Sequence, residues 1–260
     1  MPTDQIERAA VVRRALLQGA SLGGAMALLG GGAAKAADAG AFPSHPKWRF
    51  VFVNHVTTNP FFVPTQYGIQ DACKLLDCSY QWTGSANANV AEMVNAMNAA
   101  IAGKADGIAV PIVDPKAFNE PVERALNAGI PVIAYNADAP PGSGNKRLAY
   151  VGQDLYQSGY QMGERITGMV DSGMVAIFIA TPGQLNIQPR MDGAIAAIKK
   201  SGKQIDVQSI ASGPTVNEEL SRIQSFYLGH QDVKGMFAVD AGSTQGVGEV
   251  MQKNDLVKKG

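Results

Sequence analysis

The sequence predicts an α/β protein built as two successive Rossmann-like lobes of parallel sheet with flanking helices. Three observations carry that prediction. Short apolar runs alternate with stretches of helical spacing from residue 47 onward. A Gly/Pro-rich interruption, DAPPGSGNKR at 138–147, breaks the rhythm. A second alternating series then follows. Strands separated by helical segments of this length imply right-handed βαβ units and a parallel sheet. The runs are apolar throughout, the pattern expected of strands covered on both faces.

In the first series the expected strands are 49–54, 79–83, 106–112 and 130–135. The clearest helix between them carries Val90, Met93, Val94, Met97 and Ile101 on one face, with Asn89 as its cap and Glu92 in the partner position. The next helix is expected to open at Asp114-Pro115, a cap residue followed by proline at the first helical position, and to end at Gly129 before Pro131. After the interruption a strand at L148-A-Y-V-G crosses into the second series. Its expected strands are 173–180, 204–210 and 234–239, and its helices lie near 156–171, 188–201, 216–228 and 243–253. Thr215 and Glu218 form a capping box for the third of these helices. The second series stops where another strand is expected, so the chain reads as a fragment whose C-terminal part is missing.

The first residues follow a different logic. Arg13 and Arg14 precede a short Gly/Ala-rich apolar stretch that ends in A34-K35-A36-A37-D38-A39. A basic start, a short apolar middle and small residues before the cut describe a signal peptide over 1–36, cleaved after Ala36 or Ala39. The paired arginines suit the twin-arginine route. The remaining organisation is a lobe over 43–152 and an incomplete second lobe over 153–260.

Charge and cysteine usage narrow the field further. Lys+Arg and Asp+Glu are both 22, which leaves no basic excess for nucleic acid. Apolar residues are 46 % and charged residues 17 %, enough for a sizeable core. Cys73 and Cys78 read first as two small buried side chains, one on a helix and one at the next strand, although export to an oxidising compartment permits a disulfide between them. His45, His55 and His230 are scattered far from any cysteine pair, so neither a metal nor another cofactor is expected.

Nothing in the motifs asks for catalysis. G-x-S-x-G occurs at Gly19–Gly23, inside the signal peptide, and no phosphate-cradling glycine loop follows a strand. The informative residues lie where the strands end, because ligands of open α/β sheets sit outside the carboxyl ends of the strands. His55, Asn59, Phe61 and Phe62 follow the first strand, Asn136 ends the fourth, Gln153 ends the crossing strand, Arg190 follows a loop, and Asp240 ends the last strand. Taken singly, Phe61 or Phe62 suits a core, Asp240 a helix cap and Asn136 a turn. Taken together, an aromatic pair and a ring of planar polar groups suit a small polyhydroxylated ligand. His55 adds a group whose charge could make binding sensitive to pH.

Residues 49–62 with their N-P-F-F turn, D106-G-I-A-V-P, G129-I-P-V-I-A-Y-N and F237-A-V-D resemble the periplasmic sugar-binding proteins of ABC transporters, of the ribose-binding and autoinducer-2-binding types. The resemblance implies two lobes joined by a hinge, a type I periplasmic binding protein fold, with a sugar or polyol held between them. It implies that Asn59, Phe61, Phe62, His55 and Arg190 contact the ligand, with Gln153 and Asp240 at further contact positions. Asn136 stands where the family usually has Asp, and Pro111 where the ribose type has Asn. The function implied is delivery of a monosaccharide or similar ligand to a membrane ABC permease by a monomeric exported receptor, not an enzyme. Presentation to a membrane sensor kinase is the alternative, with an exported sugar-modifying enzyme behind it.

Overall fold

A computed structural model describes residues 44–256, so the signal peptide expected over 1–36 lies outside the described residues. In the first half the order is β1 (Arg49–Asn54), a 3-10 turn (Pro60–Phe62), α1 (Val63–Leu75), β2 (Ser79–Gly84), α2 (Val90–Ala102), β3 (Gly107–Val110), α3 (Asn119–Asn127), β4 (Val132–Tyr135) and β5 (Ala149–Val151). The second half runs α4 (Leu155–Met169), β6 (Ser172–Ile179), α5 (Gln188–Lys200), β7 (Gln204–Ala211), α6 (Val216–Gly229), β8 (Gly235–Ala238) and α7 (Ala241–Lys253).

Two parallel sheets result, in the orders β2-β1-β3-β4-β5 and β7-β6-β8. The first register pairs Val51 with Gln81 on one side and with Ile108 on the other. In each sheet the chain winds one way and then the other about a central strand, so β1 and β6 stand at the points where strand order reverses. The carboxyl edges at such points leave a crevice that neither crossover fills.

The core sits on these sheets as the helical spacing requires. Val51, Val53, Ile108, Val110 and Val132 meet Met93 and Met97 of α2. β6 is buried on both faces, as its unbroken apolar run requires. Ile177 and Ile179 pack with Met191 and Ile198 of α5, while Ala176 and Phe178 face Ile223 and Val250. The edge strands differ from the expected uniform apolarity. β2 (SYQWTG) and β7 (QIDVQSIA) alternate between half-buried and exposed positions, because an edge strand is only partly covered.

Local signals explain most boundaries. Asn89 accepts from Glu92 N at 3.2 Å and starts α2. Thr215 accepts from Glu218 N at 3.4 Å and starts α6. One expectation is corrected. Asp114 does cap, its Oδ1 accepting from Lys116 N at 2.8 Å and Ala117 N at 2.7 Å, but what it caps is a turn. The helix itself begins at Asn119. The turn drops Phe118 into the core, fully buried, and that packing delays the helix by a turn. Cys73 in α1 is buried, Cys78 just ahead of β2 is half-buried, and both thiols are free. Burial raises the Cys73 thiol to about 11.

Close helix packing positions the second half's charged group. α4 and α5 meet through small residues: a Cβ on Gly159 would lie 1.9 Å from Arg190 O, and one on Gly163 would lie 2.4 Å from Ala194 O. Only glycine lets the first turn of α5 approach so closely, and that turn carries Arg190.

Candidate functional site

The carboxyl ends of the two sheets face one cavity with about 560 Å³ of free space, its open mouth included. Volumes of this order suit small ligands. Of the eight residues singled out from sequence, all but Gln153 line it.

The first wall grows out of β1. Asn54, fully buried, locks the strand end: its Oδ1 accepts from Val56 N at 2.8 Å and its Nδ2 donates to Tyr135 Oη at 2.9 Å. Asn59 Oδ1 then accepts from Phe61 N at 3.0 Å, and Pro60 restricts the backbone as the 3-10 turn begins. The turn splits the aromatic pair between two tasks. Phe62 is 3 % exposed and packs edge-on against His55, with ring centroids 5.3 Å apart, and beside Trp82 at 6.1 Å. Phe61 is 51 % exposed and stands at 88° to Phe62, offering a ring to the cavity. One ring is foundation and the other is surface.

His55 is buried, and desolvation lowers its imidazole to about 4. The ring is therefore neutral through the physiological range, which removes the pH sensitivity expected of it there. Its Nε2 lies 3.0 Å from Asn186 Nδ2, on the loop that follows β6. That loop also ties back to the first half through Leu185 N to Val113 O at 2.8 Å and Gln184 Nε2 to Ala88 O at 2.9 Å. Asn136, at φ 62°, uses the left-handed conformation that asparagine tolerates to turn off the end of β4.

The second wall holds the charges. Arg190 Nη1 donates to Val239 O at 3.2 Å and Nη2 to Gln153 Oε1 at 2.9 Å. Gln153, itself exposed, thus orients the arginine from outside the cavity. Asp240 caps α7 and lines the cavity as well. Its Oδ1 accepts from Ser243 N at 2.8 Å, and its Oδ2 accepts from Ala180 N at 2.9 Å and Ser243 Oγ at 3.0 Å.

Two lining residues that carry an unpaired buried polar atom, Asn186 and Glu219, escaped the sequence reading. Asn186 sat within a loop already marked as preceding Arg190, so its position was the available signal. Glu219 gave none: it follows the capping Glu218 and reads as an exposed first-turn carboxylate. In the fold it is 3 % exposed, and burial together with Asp240 raises its carboxyl to about 8.

Among the described residues, four buried side-chain polar atoms have no hydrogen-bond partner: His55 Nδ1, Asn136 Oδ1, Asn186 Oδ1 and Glu219 Oε2. All four belong to residues lining this one cavity. An unpaired buried polar group costs about 1–3 kcal/mol, so such a cluster marks a place prepared for hydrogen bonds that the chain itself does not supply.

Comparison with known proteins agrees with the geometry. The XylF xylose/arabinose-binding protein of Sulfolobus acidocaldarius is 56 % identical over 225 residues, which are 84 % of this chain and 55 % of that protein. The chain thus spans about half the length of this curated relative. Solved structures share the fold. A periplasmic sugar-binding protein from Legionella pneumophila aligns with a TM-score of 0.73 at 21 % identity, over 80 % of this chain and 77 % of its own. A solute-binding protein from Burkholderia graminis, solved with D-arabinose, aligns with a TM-score of 0.73 at 24 % identity, over 81 % of this chain and 72 % of its own. These relatives are binding proteins rather than enzymes. The model of the periplasmic binding protein domain matches residues 50–260. The chain belongs to the periplasmic binding protein domain family, with the parallel-sheet α/β fold of its type I members.

Proposed function

We propose that this chain is the ligand-binding part of an extracytoplasmic receptor that takes a pentose, or a similar small polyhydroxylated molecule, into its interlobe cleft and delivers it to an ABC permease. The observation that carries the reading is the set of unpartnered atoms on His55, Asn136 and Asn186 around one cavity. A ring of ligand hydroxyls, each both donor and acceptor, would satisfy them. Phe61 would cover the apolar C–H face of the sugar, Asn59 would add a polar corner, and Arg190, held by Gln153, would grip adjacent hydroxyls beside Asp240. The 56 % identity to a xylose/arabinose-binding protein favours a pentose over other polyols.

In this reading residues 43–152 and 153–260 act as two lobes that close on the ligand, favoured by contacts made only in the closed state. The protein is exported as a monomer through the signal over 1–36. Calorimetry with the full-length protein against D-xylose, L-arabinose, hexoses, polyols and autoinducer-2 tests the proposal. A pentose is expected to bind most tightly. No binding of any of these by protein shown to be folded overturns it.

A further inference from the structure

Among the described residues, Glu219 is the ionisable group of the cavity wall that the proposed sugar contacts leave unexplained. It projects from the first turn of α6, which no sequence signal linked to the site. It lies directly over Gly242 in the first turn of α7, where a Cβ would come within 1.6 Å of its Oε2. Any side chain at 242 would expel the carboxyl, so the fold makes room for it. Asp240 stands two residues before that glycine on the same cavity wall, and burial together with the Asp240 charge raises the Glu219 carboxyl. Two carboxylates have no hydrogen to share, and Glu219 Oε2 is left without a donor. A single proton held between the groups supplies one.

Charge balance in the cavity favours the same arrangement. From α5 comes the Arg190 cation, and from the β8–α7 junction the Asp240 anion. His55, at the end of β1, is neutral because burial has lowered it to about 4. From α6, Glu218 does not line the cavity and is paired with Arg222 at 3.4 Å, and its charge adds a smaller push that also favours a protonated Glu219. One proton on Glu219 therefore leaves the wall without net charge. Its loss would put two adjacent anions against a single arginine in a site that ligand closes from water. Like charges so placed cannot readily both ionise.

We propose that Glu219 and Asp240 form one proton-sharing carboxyl pair that reads the ligand, selecting an uncharged polyol and binding it only while the pair holds its proton. The inference rests on the sugar-binding reading above and deepens it, because it names a recognition residue and the charge of the ligand. An acidic sugar would meet the Asp240 anion. An amino sugar would compete for the proton.

The test is the affinity of the full-length protein for D-xylose from pH 6.5 to 9.5, followed by calorimetry and by the fluorescence of Trp82 behind Phe62. If only the protonated pair binds, affinity holds to near neutrality and then weakens to about one-thirtieth by pH 9.5. Calorimetry at pH 9 in two buffers of different ionisation enthalpy should show close to one proton taken up per sugar. In Glu219→Gln, whose amide cannot ionise, both the pH dependence and the proton uptake should vanish. Should that variant fail to fold, the proton uptake of the wild-type protein decides the matter. Affinity that is flat across the range with no proton uptake, or that rises above pH 8, overturns this inference while sugar binding stands. Absence of sugar binding at every pH overturns the proposed function and this inference with it.

Discussion

Replacing Asp240 with alanine tests whether one side chain ties the second sheet together at the cavity edge. Asp240 Oδ1 satisfies Ser243 N at the start of α7, and its Oδ2 satisfies Ala180 N at the end of β6. Loss of an N-cap costs about 1 kcal/mol, and an orphaned, part-buried backbone N–H about 1–2 kcal/mol. Ser243 Oγ keeps its bond to Ser212 Oγ at 2.6 Å, so it adds little. The sum is roughly 2–3 kcal/mol, or about 4–12 °C in melting temperature at this chain length. Asp240→Asn is the informative control. Its oxygen still caps α7, but its NH2 group meets Ala180 N donor to donor, so about half the loss should remain. Measured at pH 6, where Glu219 is protonated, neither variant gains by relief of charge repulsion, and in Asp240→Ala the loss of the acceptor for the shared proton adds to the cost. Thermal unfolding of the wild type and both variants, followed by circular dichroism, checks the ordering. An Asp240→Ala protein within about 1 °C of wild type would show that the bonds to Ala180 and Ser243 do not hold the sheet edge together.

Two further outcomes follow from the same geometry. Phe61→Ala should leave the melting temperature nearly unchanged, as exposed substitutions usually do within about 0.5 kcal/mol, while weakening sugar affinity. Phe62→Ala should instead cost about 3–5 kcal/mol of stability; calorimetry and thermal melts on the two variants separate surface from foundation. The second outcome concerns pH. Glu219 is raised from 4.5 to about 8, so the folded state binds its proton more tightly than the unfolded chain does, and stability falls as pH rises through that window. His55 is lowered from 6.5 to about 4, so its contribution is lost as pH falls from 6.5 towards 4. The two slopes oppose one another below pH 6.5. Between 6.5 and 8 Glu219 acts without that opposition and should remove about 1.6 kcal/mol. Ligand-free melts at pH 6.5 and 8 should show this decline in the wild type and its loss in Glu219→Gln; equal declines in both would refute the assignment.

The alternation of strands and helices was legible in the sequence because apolar period and cap chemistry are local properties. Val90, Met93, Met97 and Ile101 announce α2 by spacing, and Asn89 supplies its cap within three residues. The rim was legible for a topological reason. Parallel strands bring all their carboxyl ends to one edge, so His55, Asn136 and Asp240 could be gathered without coordinates. Asp114 misled because a cap reads alike whether it starts a helix or a turn, and the burial of Phe118 decided between them.

What the sequence by itself determined, then, is the order of elements and the edge on which a ligand site would form, both set by neighbours within a few residues along the chain. The tertiary structure alone decided which polar groups lie buried and unpaired there. His55 and Asn186 meet across 131 residues of chain. Glu219 reaches the wall that Asp240 lines because Gly242 leaves room for its carboxyl. Burial and charge proximity are sums over atoms that folding brings together, and no local pattern records them.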